Sequence, residues 1–381
     1  MLERFIVRHY IYHSITIADS LNFTDQFAFR PSGSTSAAII SILQCVTAML
    51  ETNQFVLMYA LDFSKAFDCV RHQTLMEKIA TLDIPDNIFN WIVEFFCNRL
   101  HSTRHNNTSS ATASINASVI QESALGPAAF IVNAADMQPL FKQNRLFKYA
   151  DDTYLLVPGE HAATSTKELA NIETWANANN LRLNKAKSLE IKFTDPNKRS
   201  RVPVAASPLP LPGIPRVDSL KILGVTLSSK LSMISHVDQT IAGCAQTLFA
   251  LKTLRAHGMN NNALQTVFKS VAIAKLQYAS TAWRSFASSQ DIARCEGFMR
   301  KSARFGFYDK NAPSFASICA DSDKRFFRNI KHNPNHVLYS SLPIKTTEHY
   351  NLRQRPHDFV LPKRTSSLND RNFVMRMLYN K

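Results

Sequence analysis

The sequence predicts an α+β fold with carboxylates at the ends of its strands, on three observations. Phe55-Val56-Leu57-Met58-Tyr59 is a continuous apolar run of strand length that leads into Ala60-Leu61-Asp62. Leu146-Phe147 and Tyr154-Leu155-Leu156-Val157 flank Tyr149-Ala150-Asp151-Asp152, an aromatic and β-branched setting that favours a buried or half-buried hairpin. Helical stripes stand between these strands and dominate the chain after Ser228.

Taken in order, residues 1–20 carry Glu3, Arg4, Arg8, His9 and His13 among their apolar residues and lack the clean hydrophobic block of a signal peptide. Residues 37–50 read as a helix. After Asp62 and Asp68, Thr74-Leu75-Met76-Glu77 has capping-box spacing, and Leu75, Ile79 and Leu82 make a helical stripe. Residues 86–100 give a second helix whose Ile88, Trp91, Ile92, Phe95, Phe96 and Leu100 are core packing. Residues 101–118 are rich in Ser, Thr and Asn, which suits a hairpin or loop. Helical character returns over 161–180, with Leu169, Ile172 and Trp175 on one side. Five prolines between residues 203 and 215 require an extended or turn-rich connector, and residues 220–227 return to strand. Leu264, Val267, Phe268 and Val271 exemplify the helical patterns that follow, and the last fifty residues read as irregular.

No apolar run reaches the roughly 18 residues of a transmembrane helix, so no membrane partner is expected. Six cysteines (45, 69, 97, 244, 295 and 319) show no paired spacing, which leaves a zinc knuckle or disulfide framework without support. Reduced thiols in an intracellular protein, cytoplasmic or nuclear, are expected. The net charge of +15 is unevenly placed: residues 1–193 hold 16 Lys/Arg and 18 Asp/Glu, the remainder 28 and 11. That basic second half suits a phosphate backbone, which supplies affinity through counterion release.

Two full charges about 4 Å apart repel by roughly 4 kcal/mol at an effective dielectric near 20. Asp151 and Asp152 therefore need protons, cations or solvent. Mg²⁺ is the economical partner, because hard divalent cations take carboxylate oxygens and keep positions open for phosphates. A solvated β-turn is the alternative. Asp62, at the end of a buried strand where a bare carboxylate is costly, favours the metal. Asp68 also fits a loop-capping role.

The ordered segments DFSKAFD (62–68), SALGP (123–127), YADD (149–152), LNKAKS (183–188) and LKILGVTL (220–227) resemble the palm of a reverse transcriptase of the non-LTR, jockey-like retrotransposon type. The tail segments HYNLRQRPHDF (349–359) and SLNDRNFVMRMLY (367–379) resemble the C-terminal ends of such element-encoded polymerases. The resemblance implies a right-hand polymerase architecture: partial fingers and palm over 1–227, a helical thumb-like region over 228–330 and a basic C-terminal tail over 331–381. It implies an RNA-directed DNA polymerase that extends a DNA primer 3′-OH on an RNA template with deoxynucleoside triphosphates. Two Mg²⁺ ions, replaceable by Mn²⁺, would be held by Asp62, Asp151 and Asp152. Asp151 is favoured over Asp152 as the direct ligand, since strand neighbours point to opposite faces unless the turn lies at them.

The resemblance further assigns Phe67 as a steric gate against a ribose 2′-OH, with core packing as its alternative. Lys187 matches a lysine beside the leaving pyrophosphate, with Lys185 as competitor and a solvated surface lysine as its alternative. Gln121, Ser123 and Gly126 would line the nucleotide and template, and Arg30, in QFAFRPSGST (26–35), would contact template or stabilise a turn before Pro31. One departure is Glu122, standing where the family carries glycine. It removes close backbone approach and adds negative charge near phosphates. The finger strands before residue 26 and an upstream endonuclease are also expected to be missing. These departures support an alternative, a degenerate element remnant that binds nucleic acid without catalysis. An intron maturase or viral RNA polymerase is opposed by Phe67 and by the tail.

Overall fold

A computed structural model describes residues 1–17, 21–120, 122–198, 208–346 and 357–379. The strands, in chain order, are β1 (Val56–Leu61), β2 (Arg99–His101), β3 (Arg104–His105), β4 (Thr108–Ser109), β5 (Ala113–Ile115), β6 (Arg145–Tyr149), β7 (Asp152–Pro158), β8 (Leu189–Phe193), β9 (Arg216–Val217), β10 (Ser219–Ile222) and β11 (Val225–Ser228). A five-stranded sheet has the order β6-β7-β1-β8-β9. Its non-sequential order, with helices between the strands, gives the mixed α+β class that the sequence predicts.

The chain forms two compact units. The first comprises Met1–Ser34, Leu57–Glu190 and Ser207–Arg216. Here β1 is buried along almost its whole length and β7 is buried beyond Asp152, as apolar runs require. The helix His72–Ile79 packs against the helix Leu125–Asn133, and Leu75 and Ile79 are buried as the stripe predicts. The capping box is not used: the helix starts at His72, and the Thr74 hydroxyl donates instead to the Arg71 carbonyl (3.1 Å). Residues 99–115 form two small antiparallel ribbons, β2 with β5 and β3 with β4. Buried Glu168, on the helix Ser165–Ala178, accepts the Leu140 and Phe141 amides (2.9 and 2.8 Å) and the Asn144 side-chain amide (2.8 Å). Those charge-assisted bonds anchor the approach to β6.

The second unit comprises Thr35–Val56, Ile191–Ala206 and Val217–Lys381. It gathers the helix Thr35–Thr52 and the β10–β11 hairpin with the C-terminal helices, whereas the motif order groups both with the palm. The contacts explain the difference. Thr35–Thr52 packs on the helix Ser280–Trp283, and Thr47 accepts a bond from Asn372 Nδ2 (2.7 Å). Lys198 donates to the carbonyls of Leu50, Glu51 and Asn53 at the same helix's end (2.7–3.1 Å). Thr35–Thr52 is also long and apolar enough to cross a membrane by length and composition, contrary to the reading that no run is. Its buried Ile39, Ile42, Leu43 and Val46 belong to the core of this unit.

Residues 220–227 are a hairpin rather than one strand. Leu223 and Gly224 both adopt left-handed φ (45° and 86°), and Ile222 pairs with Val225. Gly224 is required twice over, since a Cβ there would also stand 2.8 Å from the Tyr278 ring. The C-terminal segment is not wholly irregular: Phe373–Tyr379 is a helix that buries Phe373, Val374, Met377 and Leu378. All six cysteines are free, and Cys244, Cys295 and Cys319 are buried, their thiols pushed up by burial to about 11, 12 and 11.

Candidate active site

β6 and β7 pair antiparallel with Tyr149 opposite Asp152, so Ala150 and Asp151 form a two-residue turn. Ala150 takes a left-handed φ of 56° there, a conformation that costs an L-residue roughly 1–2 kcal/mol. The surroundings hold it in place. Gln26, almost fully buried, accepts the Ala150 amide (3.2 Å) and the Ala28 amide (3.0 Å) through one side-chain oxygen. The Asp25 carbonyl accepts the Lys148 amide (2.7 Å), and the Phe27 amide donates to the Lys148 carbonyl (2.9 Å). Residues 25–27 thus form a short extra rung beside the hairpin.

Under this rung lies a buried ion pair. Lys148 Nζ, with no exposed side-chain surface, meets Asp25 at 3.0 Å and donates to the carbonyls of Ala134 and Met137 (2.8 and 3.1 Å). Burial lowers the Lys148 ammonium and raises the Asp25 carboxyl, and their mutual attraction opposes both shifts. The sequence reading missed Asp25, Gln26 and Lys148. The available signal was a lysine between Phe147 and Tyr149, inside a run that otherwise reads as buried.

Asp62 follows β1, the neighbour of β7 in the sheet. Its backbone is bonded to the segment 182–188. The Asn184 amide donates to the Asp62 carbonyl (2.8 Å), the Asp62 amide to the Ser188 hydroxyl (3.1 Å), and the Ser64 amide to the Arg182 carbonyl (3.0 Å). Ser188 in turn donates to the Asn184 carbonyl (2.8 Å). Two motifs 120 residues apart in sequence are thereby joined at the acid.

The charge of Asp62 reaches both acids of the hairpin turn. Asp151 and Asp152 are exposed by surface area, yet the protein packed around their carboxyls is the largest cause of their shifts. Partial burial, then the charges of Asp151 and Asp62, push Asp152 up to about 6. Partial burial and Asp62 also raise Asp151, against a backbone hydrogen bond that lowers it. Among the described residues no three His, Cys, Asp or Glu side chains already converge as ligands of a single ion. The donor set nevertheless fits a hard divalent cation: three mutually repelling carboxylates, one at a turn and two at strand ends, all reached by solvent.

The remaining expected residues divide. Lys187 is exposed and, among the described residues, its ammonium meets no partner, whereas Lys185 is held by Glu173 (2.6 Å). Phe67, half-buried, stacks on Phe130 (centroids 4.3 Å, 14°) and meets Phe29 edge-on (6.3 Å). One face therefore packs while part of the ring stays open. Arg30 donates to the carbonyls of Phe23 and Gln26, the turn-stabilising geometry. Ser123 donates to the Ile120 carbonyl (2.9 Å) and accepts the Gly126 amide (2.7 Å), so it organises the start of the helix Leu125–Asn133. A Cβ on Gly126 would lie 2.0 Å from the Ile120 carbonyl oxygen; close packing is the reason for glycine there. Glu122 is exposed in the preceding turn, and Gln121 lies outside the described residues. Glu3 closes this corner by accepting the Ala124 amide (3.0 Å).

A strand-borne acid beside a carboxylate-bearing hairpin turn, with a lysine loop bonded to the first acid, defines the palm of a nucleotide polymerase. The chain belongs to the reverse transcriptase (RNA-dependent DNA polymerase) family, whose model matches residues 4–227. It is 26% identical over 303 residues to the probable RNA-directed DNA polymerase from transposon X-element of Drosophila melanogaster, covering 76% of this chain and 32% of that protein. It is 27% identical over 223 residues to the RNA-directed DNA polymerase from mobile element jockey of the same species, covering 56% and 24%. The jockey-like resemblance of the motifs agrees with these relatives. The chain thus spans about a third of the first relative's length and about a quarter of the second's. Among solved structures, Candida tropicalis telomerase with a TWJ fragment of telomeric RNA aligns at 10% identity and a TM-score of 0.49, covering 88% of this chain and 56% of that one.

Proposed function

We propose that this chain is the polymerase domain of a retrotransposon reverse transcriptase, extending a DNA primer on an RNA template with deoxynucleoside triphosphates in an intracellular setting. The observation that carries the reading is the electrostatic coupling of Asp62, Asp151 and Asp152 at the ends of adjacent strands. Such uncompensated negative charge suits divalent cations, Mg²⁺ or in its place Mn²⁺, with these three carboxylates as ligands. When bound, a pair of such ions would stabilise the attacking and leaving oxygens of an in-line phosphoryl transfer. Lys187 offers positive charge and a proton for the departing pyrophosphate. The open part of the Phe67 ring offers the bulk to reject a ribose 2′-OH. Arg30 and Ser123 act indirectly, through the turn and the helix start they hold.

Primer extension on an RNA template with Mg²⁺ or Mn²⁺ tests this reading. Extension by the parent, lost in Asp151→Ala and restored by neither metal, is the expected result. Salt-sensitive RNA binding without extension, unchanged by Asp151→Ala, would instead establish the binding-only remnant that Glu122 favours. Glu122→Gly then separates the causes, since release of a block at that turn should raise extension at least severalfold.

A further inference from the structure

We propose that the ribbon of residues 99–115, with the groove at its base, is a docking site for a single-stranded RNA segment. Every residue from 100 to 114 is exposed. A two-stranded hairpin with no buried face gains little from hydrophobic packing and is marginal alone. Local chemistry stiffens this one. Asn106 and Asn107 both adopt left-handed φ (45° and 64°), the conformation of a type I′ loop. Thr103 and Ser110 clasp the strands, the Thr103 amide donating to the Ser110 hydroxyl (2.9 Å) and the Ser110 amide to the Thr103 carbonyl (2.9 Å). The return leg is tied to the body: the amides of Ser118 and Val119 donate to the carbonyls of Val70 and Phe67 (2.8 and 2.9 Å). The fold thus holds a firm polar arm out to solvent beside the Phe67 segment.

Charge and the groove identify the occupant. From residue 95 to residue 121 the chain carries Arg99, Arg104, His101 and His105 and no acid, interleaved with Ser, Thr and Asn hydrogen-bond donors. At the base, Phe95, Phe96, Arg99, His101, Ile120 and Asp68 contribute to a cavity of about 390 Å³. The Arg99 guanidinium lies 4.4 Å from the Phe95 ring centroid and donates to the Phe95 carbonyl (2.6 Å), a flat cationic platform set in advance. Leu100 and Ile120 stay 68% and 46% exposed at the same place; the helix ends at Phe96, so Leu100 falls on the ribbon instead of in the core stripe expected of residues 86–100, and both are apolar surface without a folding role. Aromatic and guanidinium planes beside a cationic track are the recognition chemistry of unpaired bases on a strand. Asp68 would repel a phosphate but can accept a base amino group, which puts bases in the groove and phosphates along the ribbon. A duplex has no unstacked base to offer this groove.

The choice of RNA rests on the polymerase reading, and the test keeps the two apart. Anisotropy of a short, unstructured, fluorescein-labelled RNA is measured against salt for the parent, for Arg104→Glu/His105→Glu and for Arg99→Ala. These side chains lie on or beside the exposed ribbon, and an unchanged melting temperature checks that each variant folds. The charge reversal should weaken binding about tenfold at 0.1 M salt and flatten the salt slope, and Arg99→Ala should weaken it about fivefold. Extension at saturating short primer–template should stay at the parent rate. Unchanged single-strand affinity in both variants, or an equal loss for fully duplex RNA, would overturn the proposal. Failure of the parent to extend any primer would overturn the polymerase reading and leave the binding comparison intact.

Discussion

Asp151 occupies the second position of a two-residue turn whose first residue, Ala150, has a positive φ, so the candidate metal site is built on a conformation the chain would not choose unaided. Gln26 supplies the restraint through one carbonyl oxygen shared by the Ala28 and Ala150 amides. Gln26→Leu removes that acceptor and leaves two buried N–H groups unpaired, at about 1–3 kcal/mol each. The variant should melt lower, and its Mg²⁺ half-saturation in extension should rise more than its Km for template. A purely structural role would lower the melting temperature and leave the metal dependence alone. The acids themselves predict the opposite sign for stability. Asp152→Asn removes one of three mutually repelling charges, so at pH 7.5 without metal it should melt higher than the parent while losing extension. Added Mg²⁺ should raise the parent's melting temperature by more than the variant's.

At the scale of elements, the Lys148–Asp25 pair joins the segment before the first palm strand to the YADD hairpin. Lys148 has no exposed side-chain surface, and Asp25 has 10%. Breaking such a pair leaves an uncompensated buried charge and typically costs about 3–5 kcal/mol. Asp25→Ala should therefore lower the denaturant midpoint strongly, and Asp25→Asn/Lys148→Met should recover most of the loss because no charge remains. Chemical denaturation of the three proteins measures the difference. These partners also mark the limit of what the sequence disclosed. Strands at 56–61 and 152–158 were legible because unbroken apolar runs have few other uses. The three acids stood out as candidates because charge inside such runs is costly. The pairing of Lys148 with Asp25 was not, since 123 residues separate them and only the folded sheet brings them together. The turn at Leu223-Gly224 was hidden for a related reason. An apolar residue at a left-handed position looks like strand until the Tyr278 hydroxyl, which donates to the Leu223 carbonyl (2.9 Å), is seen beside it. Thr74 misled because the helix begins two residues before it, at His72.

For the whole molecule, the net charge of +15 makes acid a stress, since protonation adds like charge to a chain already far from neutrality. One buried group gives that stress a specific place. His236, 6% exposed, lies edge-on to Trp283 (centroids 5.0 Å), its Nδ1 faces the Thr226 amide at 3.5 Å, and its Nε2 has no partner. Burial, then the charge of Lys221, pushes it down to about 4 from 6.5. The folded state therefore prefers the neutral ring. The stabilisation from that preference is complete above pH 6.5 and is lost as pH falls from 6.5 through about 4, because the unfolded chain takes up the proton first. A shift of this size corresponds to about 3 kcal/mol at full effect. The melting temperature should thus fall between pH 6.5 and 4 by more than general charging explains. His236→Phe keeps an aromatic ring against Trp283 and removes the titration, so its melting temperature should show a distinctly shallower fall with acid than the parent's. Parallel pH profiles of parent and variant would assign the acid sensitivity to other groups, with the surface carboxylates as the next to test.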